Sequence, residues 1–330
     1  MRRYIMGDFL EIKGLALTYA CGYGCTHCCQ DAKPDGEKMS FSFVEKLAQS
    51  EQLLFSDTLL ICWGEPIRYE SEGRDLGDVV RLLFRNTGIK KIAINTNGFF
   101  SGDALAHTAL KKMGEFADRL LFSLSFNLFS KKPTKLFEHS FWHLLNEGMD
   151  PTISCTAIEH NWGRTIEALK EALKIFGYRP TEPINMPTHE NPVVSTVFSS
   201  SNSELNVRFS LVGPVGRGMN VVQDFDSGTR GCRFLRGEVI YTIAPNGDVL
   251  PCLGLGGTRI TPIGNVCENS AGEIIERTSE YWEKLVVFFE RNQENPNMPK
   301  FRCNRHIYGF RYHSTVPRTG RPAVLMGRAI

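Results

Sequence analysis

Cys21, Cys25, Cys28 and Cys29 lie within nine residues, in the run Cys21-Gly22-Tyr23-Gly24-Cys25-Thr26-His27-Cys28-Cys29. The first three follow a C-x3-C-x2-C spacing, which lets one short irregular loop wrap a single metal centre. Thiolates are soft ligands and select zinc, copper(I) or iron–sulfur clusters. On a four-iron cluster, three protein thiolates in place of the usual four leave one iron open to bind something else. Two other chemistries use part of the run. The pair Cys25 and Cys28 has the spacing of half a zinc knuckle, and also that of a thioredoxin-like redox pair. Neither needs a third cysteine four residues upstream. Cys29 has no place in the spacing and reads as a small apolar residue beside the others.

The elements that must position this loop are legible on both sides of it. Residues 14–20 form an apolar run that reads as a strand, so the cysteines follow its C-terminal end, where parallel barrels collect their chemistry. A second strand over 58–62 runs into Trp63-Gly64-Glu65-Pro66, and a third over 91–95 runs into Thr96-Asn97-Gly98. Cysteine loop, strand-Gly-Glu-Pro, then strand-Asn-Thr-Asn-Gly is an order that resembles the radical S-adenosylmethionine (SAM) superfamily. The resemblance implies a [4Fe–4S] cluster on Cys21, Cys25 and Cys28, whose fourth iron chelates the amino and carboxylate groups of SAM. It implies that Gly64, Glu65 and Pro66 receive the methionine amino group, with Asn97 beside them. Trp63 stands where the family usually has a first glycine. His27 occupies a position where an aromatic residue packs near the adenine. Ser123 and Ser125, in the apolar run 120–126, match fourth-strand positions that contact the SAM ribose or carboxylate.

Composition bounds the class. The chain has 330 residues, 42% hydrophobic and 22% charged, the balance of a globular protein with room for a sizeable core. A net charge of +2 without a basic stripe points to no nucleic-acid partner. No apolar run approaches the roughly eighteen residues of a membrane span, and the first residues do not read as a signal peptide. Ten cysteines are then expected as cluster ligands and thiols in a reducing cytoplasm rather than as disulfides.

Strand-like and helix-like stretches alternate through the first two-thirds of the chain. Helices are expected over 41–55, with Ser42 able to cap it, and over 76–86, 103–116, 135–146 and 162–176. Further strands are expected over 151–158 and 205–212. Such alternation argues for α/β architecture with a parallel sheet, and six units resemble the partial (β/α)6 TIM-type barrel of the family, over residues 1–215. Residues 178–203 begin with Pro180, Pro183, Pro187 and Pro192 and end in a serine-rich run. They read as a long loop, either a cover for the barrel mouth or a plain surface insertion.

Residues 216–330 differ. Cys232 and Cys252 flank a strand, an Asn246-Gly247 turn and a returning strand, the pattern of a hairpin. Cys-x14-Gly-x4-Cys resembles the twitch or SPASM extension of radical SAM enzymes, here a small C-terminal α+β domain with one auxiliary [4Fe–4S] cluster. Its ligands would be Cys232, Cys252 and Cys303, with Cys267 or His306 as the fourth or an open position. Zinc on the same residues is the competing reading.

The resemblance implies that the cluster reduces SAM to a 5′-deoxyadenosyl radical, which abstracts hydrogen from a peptide or natural-product intermediate. An auxiliary cluster accepting an electron would give oxidation or crosslinking. A thiol donating hydrogen would give epimerisation, and Cys62, Cys155 and Cys267 are the spare thiols. A sugar or aminoglycoside substrate is the alternative, and a non-catalytic iron–sulfur or zinc protein the competitor from another class. A flavodoxin- or ferredoxin-type electron donor is the implied partner.

Overall fold

The computed structural model describes residues 9–30, 32–98, 102–129, 134–188, 193–212, 239–252 and 262–291. In chain order the elements begin with β1 (Leu10–Leu15), α1 (Phe41–Ala48) and β2 (Leu53–Ile61). A small hairpin of β3 (Glu70–Ser71) and β4 (Arg74–Asp75) precedes α2 (Leu76–Asn86). Then come β5 (Lys91–Thr96), α3 (Ala104–Met113), β6 (Leu120–Phe126), α4 (Thr134–Asn146), β7 (Pro151–Ala157) and α5 (Trp162–Lys174). The strands β8 (Arg179–Pro180), β9 (Val193–Ser199) and β10 (Glu204–Leu211) follow. The last described elements are β11 (Tyr241–Ile243), β12 (Asp248–Leu250), β13 (Gly264–Asn265) and α6 (Ala271–Arg291).

Six strands, β1-β2-β5-β6-β7-β10, lie side by side and every pair among them is parallel. Five helices, α1 to α5, make the crossovers. This is the mixed α/β parallel sheet expected from the alternation, in the partial TIM-like barrel that the resemblance implied. Alternation within each strand sorts its two faces. Leu120, Phe122, Leu124 and Phe126 of β6 are buried, whereas Leu121 is exposed and Ser123 and Ser125 are half-buried. The buried set packs on the helices in two clusters. One joins β1, β2 and β5 to α1, α2 and α3. The other joins β7 and β10 to α4 and α5. The opposite face, which a partial barrel turns inward, carries the small polar residues.

Several boundaries differ from the sequence reading. The first helix ends at Ala48, not 55, because Leu53-Leu54-Phe55 already belongs to β2 and pairs with β1. Its cap is Ser40, whose hydroxyl accepts from the Phe43 N–H at 3.1 Å, rather than Ser42. The third helix stops at Met113, and a 3-10 turn over Gly114–Arg119 follows. The expected long loop over 178–203 instead contributes β8 and β9, which extend the sheet: β9 runs antiparallel to β10, and β8 antiparallel to β9. At the other edge, β11 pairs in parallel with β1, and the Asn246-Gly247 turn folds β12 back on β11. Gly247 takes φ 88°, the left-handed conformation such a turn requires.

Candidate active site

The loop after β1, the turn after β2 and the end of β5 meet at the C-terminal edge of the parallel strands. Their joint is built around Glu65, whose carboxylate is buried (2% exposed). The Thr96 hydroxyl donates to its Oε1 at 2.7 Å, and the Ile67 N–H donates to the same oxygen at 3.2 Å. The Asn97 N–H donates to its Oε2 at 2.7 Å. A buried carboxylate needs such donors to offset its lost hydration. Here they come from two different loops, so the carboxylate fixes both. The Asn97 side-chain amide reaches on to Cys21 Sγ at 3.7 Å. The Glu65 N–H donates to the Ala20 carbonyl at 2.8 Å, which ties the turn to the residue before the cysteine loop.

Trp63 and Gly64 make that approach possible. Both are left-handed, with φ 77° and 56°. A β-carbon on Gly64 would sit 2.6 Å from the carbonyl oxygens of both Thr18 and Ala20. Only glycine fits between the turn and the first strand's exit. Trp63 adopts a left-handed conformation that favours glycine, yet its ring is buried, stacked on Tyr19 with centroids 5.7 Å apart.

Burial pushes the Cys21 thiol above its ordinary range. The backbone of Tyr23 and the Asn97 side chain oppose that shift, and the charges of Glu65 and Cys28 add to it. Cys21, Cys25 and Cys28 are all half-buried, and the Cys28 N–H donates to the Cys25 carbonyl at 3.2 Å. Among the described residues no three histidine, cysteine, aspartate or glutamate side chains are drawn up around one point as ligands. The three sulfurs would therefore have to close on a cluster. Their chemistry fits one, as three soft donors on a single turn-rich loop. A cavity of about 530 Å³ opens beside them, lined by Cys21, Gly22, Glu65, Lys38, Arg68 and Asp103. It falls within the size range of small-molecule sites. Across it the Arg68 guanidinium pairs with Asp103 at 2.7 Å.

The other residues singled out in the sequence are placed as follows. His27 packs against Phe129 with ring centroids 4.7 Å apart. Ser123 and Ser125 lie on the inner face of β6, in register with Asn95 of β5 and Ser154 of β7 respectively. Cys62 is buried on the inner side with Ala16, Trp63, Ala244 and Leu250. Burial raises its pKa, and the electrostatic influence of Cys29 and Cys252 adds to the effect. Cys155 points the other way, into the helix-side core, where burial pushes its thiol up to about 12.

Cys267 is not brought to this site. It is exposed and lines a separate cavity with Leu10, Gln52 and Leu53, at the N-terminal ends of β1 and β2. The length of β1, roughly 17 Å at about 3.3 Å per residue, separates it from the cysteine loop. Cys232, Cys303 and His306 lie outside the described residues. Thr96 and Arg68 were not singled out in the sequence. Thr96 had one signal, its place at the end of the third strand beside Asn97; Arg68 had none.

No family model matches the chain. Curated relatives include the GTP 3′,8-cyclase of Yersinia pestis, 30% identical over 88 residues, which are 26% of this chain and 26% of that protein. The GTP 3′,8-cyclase of Tolumonas auensis is 31% identical over 88 residues, 26% of this chain and 25% of that protein. The chain thus spans about a quarter of the length of the curated relatives it matches. Among solved structures, native anSMEcpe with bound AdoMet and Cp18Cys peptide matches with a TM-score of 0.52 at 14% identity, over 82% of each chain. A tagged form of anSMEcpe with bound AdoMet gives 0.53 at 14% identity, over 82% of this chain and 79% of that one. At that identity the likeness is one of fold.

Proposed function

We propose that the chain is a radical SAM enzyme that remakes a C–H position in a peptide or natural-product intermediate. One observation carries the reading: Glu65 and Asn97 lock the cysteine loop, the Gly-Glu-Pro turn and the end of β5 into one joint beside a cavity. Cys21, Cys25 and Cys28 would hold the [4Fe–4S] cluster. Gly64, Glu65, Pro66, Asn97, Ser123 and Ser125 would hold SAM, with His27 at its adenine. Bound there, cluster and SAM would supply a 5′-deoxyadenosyl radical, an abstractor of hydrogen from unactivated carbon.

The chain's own contribution is placement. Glu65 accepts from three protein donors, so besides facing SAM it holds the turn in position against Ala20. Asn97 offers its amide to Cys21 and so fixes the loop relative to β5. The stacked Trp63 and Tyr19 rings close the inner side of the turn to water, which would otherwise quench a radical. Cys252, with Cys232 and Cys303, would hold the auxiliary cluster, and a flavodoxin- or ferredoxin-type protein would deliver electrons. Support for a peptide substrate comes from the fold shared with anSMEcpe, whose structure holds a peptide. The GTP cyclases among the relatives support a small-molecule substrate instead. Oxidation, crosslinking and epimerisation are the outcomes open to such a site.

The test is anaerobic reconstitution of the wild type and of a variant with Cys21, Cys25 and Cys28 replaced by alanine. The expected result is bound iron in the wild type and 5′-deoxyadenosine on adding SAM and dithionite, with the product absent from the variant. Zinc in place of iron, with no SAM binding, would overturn the reading.

A further inference from the structure

At the middle of β10, the inner face of the sheet sets one cation among neutral hydroxyl and amide side chains. On β10, Leu205, Val207 and Phe209 are buried against the helices, so Asn206, Arg208 and Ser210 face inward. Arg208 is in register with Ser154 of β7 on one side and Ser195 of β9 on the other. Ser154 is itself in register with Ser125 of β6. The row therefore runs Ser125, Ser154, Arg208, Ser195, and Arg208 stands two strands, or roughly 10 Å, from a SAM-site serine.

Arg208 is exposed, and among the described residues no acid is paired with it. Its four neighbours on the face are Ser154, Ser195, Asn206 and Ser210. The nearest acid on this face of its own strand, Glu204, is about 13 Å away along β10. A solvated arginine on an outer helix needs no explanation. One set into a hydroxyl floor, facing the space where substrate must approach, is an anion receiver. The guanidinium offers a planar fork that matches two oxygens of a carboxylate or phosphate. The serine hydroxyls beside it can donate to the same group.

We propose that Arg208 is a specificity-determining residue that binds an anionic oxygen group of the substrate, a carboxylate or a phosphate, on the inner face of the sheet. This rests on the reading of the cysteine loop as the reaction centre. It adds the substrate's charge and the place where that charge is held.

The experiment is anaerobic titration calorimetry of the reconstituted enzyme with two pairs of probes. Phenyl phosphate is compared with phenol, and N-acetylphenylalanine with its neutral amide. The wild type is expected to bind at least one anion more tightly than its neutral partner. Phosphate alone identifies a phosphorylated substrate, and carboxylate alone an acid or peptide terminus. Arg208→Gln is expected to weaken the preferred anion roughly 10- to 100-fold, the worth of one charged hydrogen-bonded contact. Arg208→Lys should fall between, and Lys174→Gln on the outer helix α5 should match the wild type. A melting curve of each variant checks that it is folded. The proposal is overturned if the wild type prefers neither anion, or if Arg208→Gln binds as the wild type does. The binding assay involves no radical step. Arg208-dependent binding without 5′-deoxyadenosine therefore contradicts only the function, and 5′-deoxyadenosine with Arg208-independent binding contradicts only this inference.

Discussion

Trp63 combines a backbone conformation that disfavours it with a ring that the core needs. A left-handed φ costs a non-glycine residue roughly 1–2 kcal/mol. Truncating a buried aromatic costs roughly 3–5 kcal/mol. The ring wins: Trp63→Gly is expected to lower stability by roughly 1–4 kcal/mol in urea unfolding, despite relieving the backbone. A more stable variant would show that the strain dominates. Glu65→Ala strands two buried donors and one part-buried one, each worth roughly 1–3 kcal/mol. It is expected to destabilise by a few kcal/mol and to abolish SAM binding in equilibrium dialysis; retained binding would remove the turn from the SAM site. The residue types at this joint were readable in the sequence, down to the tryptophan in a glycine's place. The bonds that Thr96 and Asn97 make to Glu65 were not, because they join residues more than thirty positions apart in the chain.

At the scale of elements, the start of α2 depends on one lysine of α3. Asp75 caps α2 and closes a reciprocal box with Asp78, and Lys112 Nζ reaches both carboxylates, at 2.8 and 2.7 Å. Burial works to raise the Asp78 pKa. It is outweighed by the Lys112 hydrogen bond, the Asp75 N–H and the charges of Lys112 and Arg74, so the folded value lies below 3.8. A depressed carboxyl stabilises the fold above its unfolded value, and that stability is lost as pH falls through the folded one. Lys112→Met is therefore expected to cost roughly 1–3 kcal/mol at neutral pH and to flatten the loss of stability below about pH 4. An unchanged acid limb would show that the pair contributes nothing. Gly64→Ala should displace the cysteine loop, because its β-carbon meets two carbonyls of the first strand's exit. The reading is lower iron retention after gel filtration, and full retention would contradict the close approach.

Periodicity at this scale announced most helices, and α2 matched its expected bounds because apolar spacing and end signals agree there. It missed β8 and β9, whose prolines and serines look like loop. Val193, Val194 and Val197 carry strand propensity there, but only pairing with β10 makes them sheet.

For the molecule as a whole, the six parallel strands gather at one edge the residues that the motifs had named separately. The sheet then continues beyond both edges of the partial barrel, through β9 and β8 on one side and through β11 to β13 on the other. That continuation brings Leu250 of β12, two residues before Cys252, against Cys62 and leaves Cys267 at the far end of β1. Cysteine spacing alone could not separate Cys252 from Cys267, since both follow the same hairpin. Among the described residues no helix is long and apolar enough to cross a membrane.

The most direct test of the central claim is electron paramagnetic resonance of the anaerobically reconstituted, dithionite-reduced protein before and after adding SAM. The account predicts a reduced [4Fe–4S] signal that changes when SAM binds its open iron and is absent after replacement of Cys21, Cys25 and Cys28. A cluster signal indifferent to SAM, or one that survives loss of those three cysteines, would contradict it.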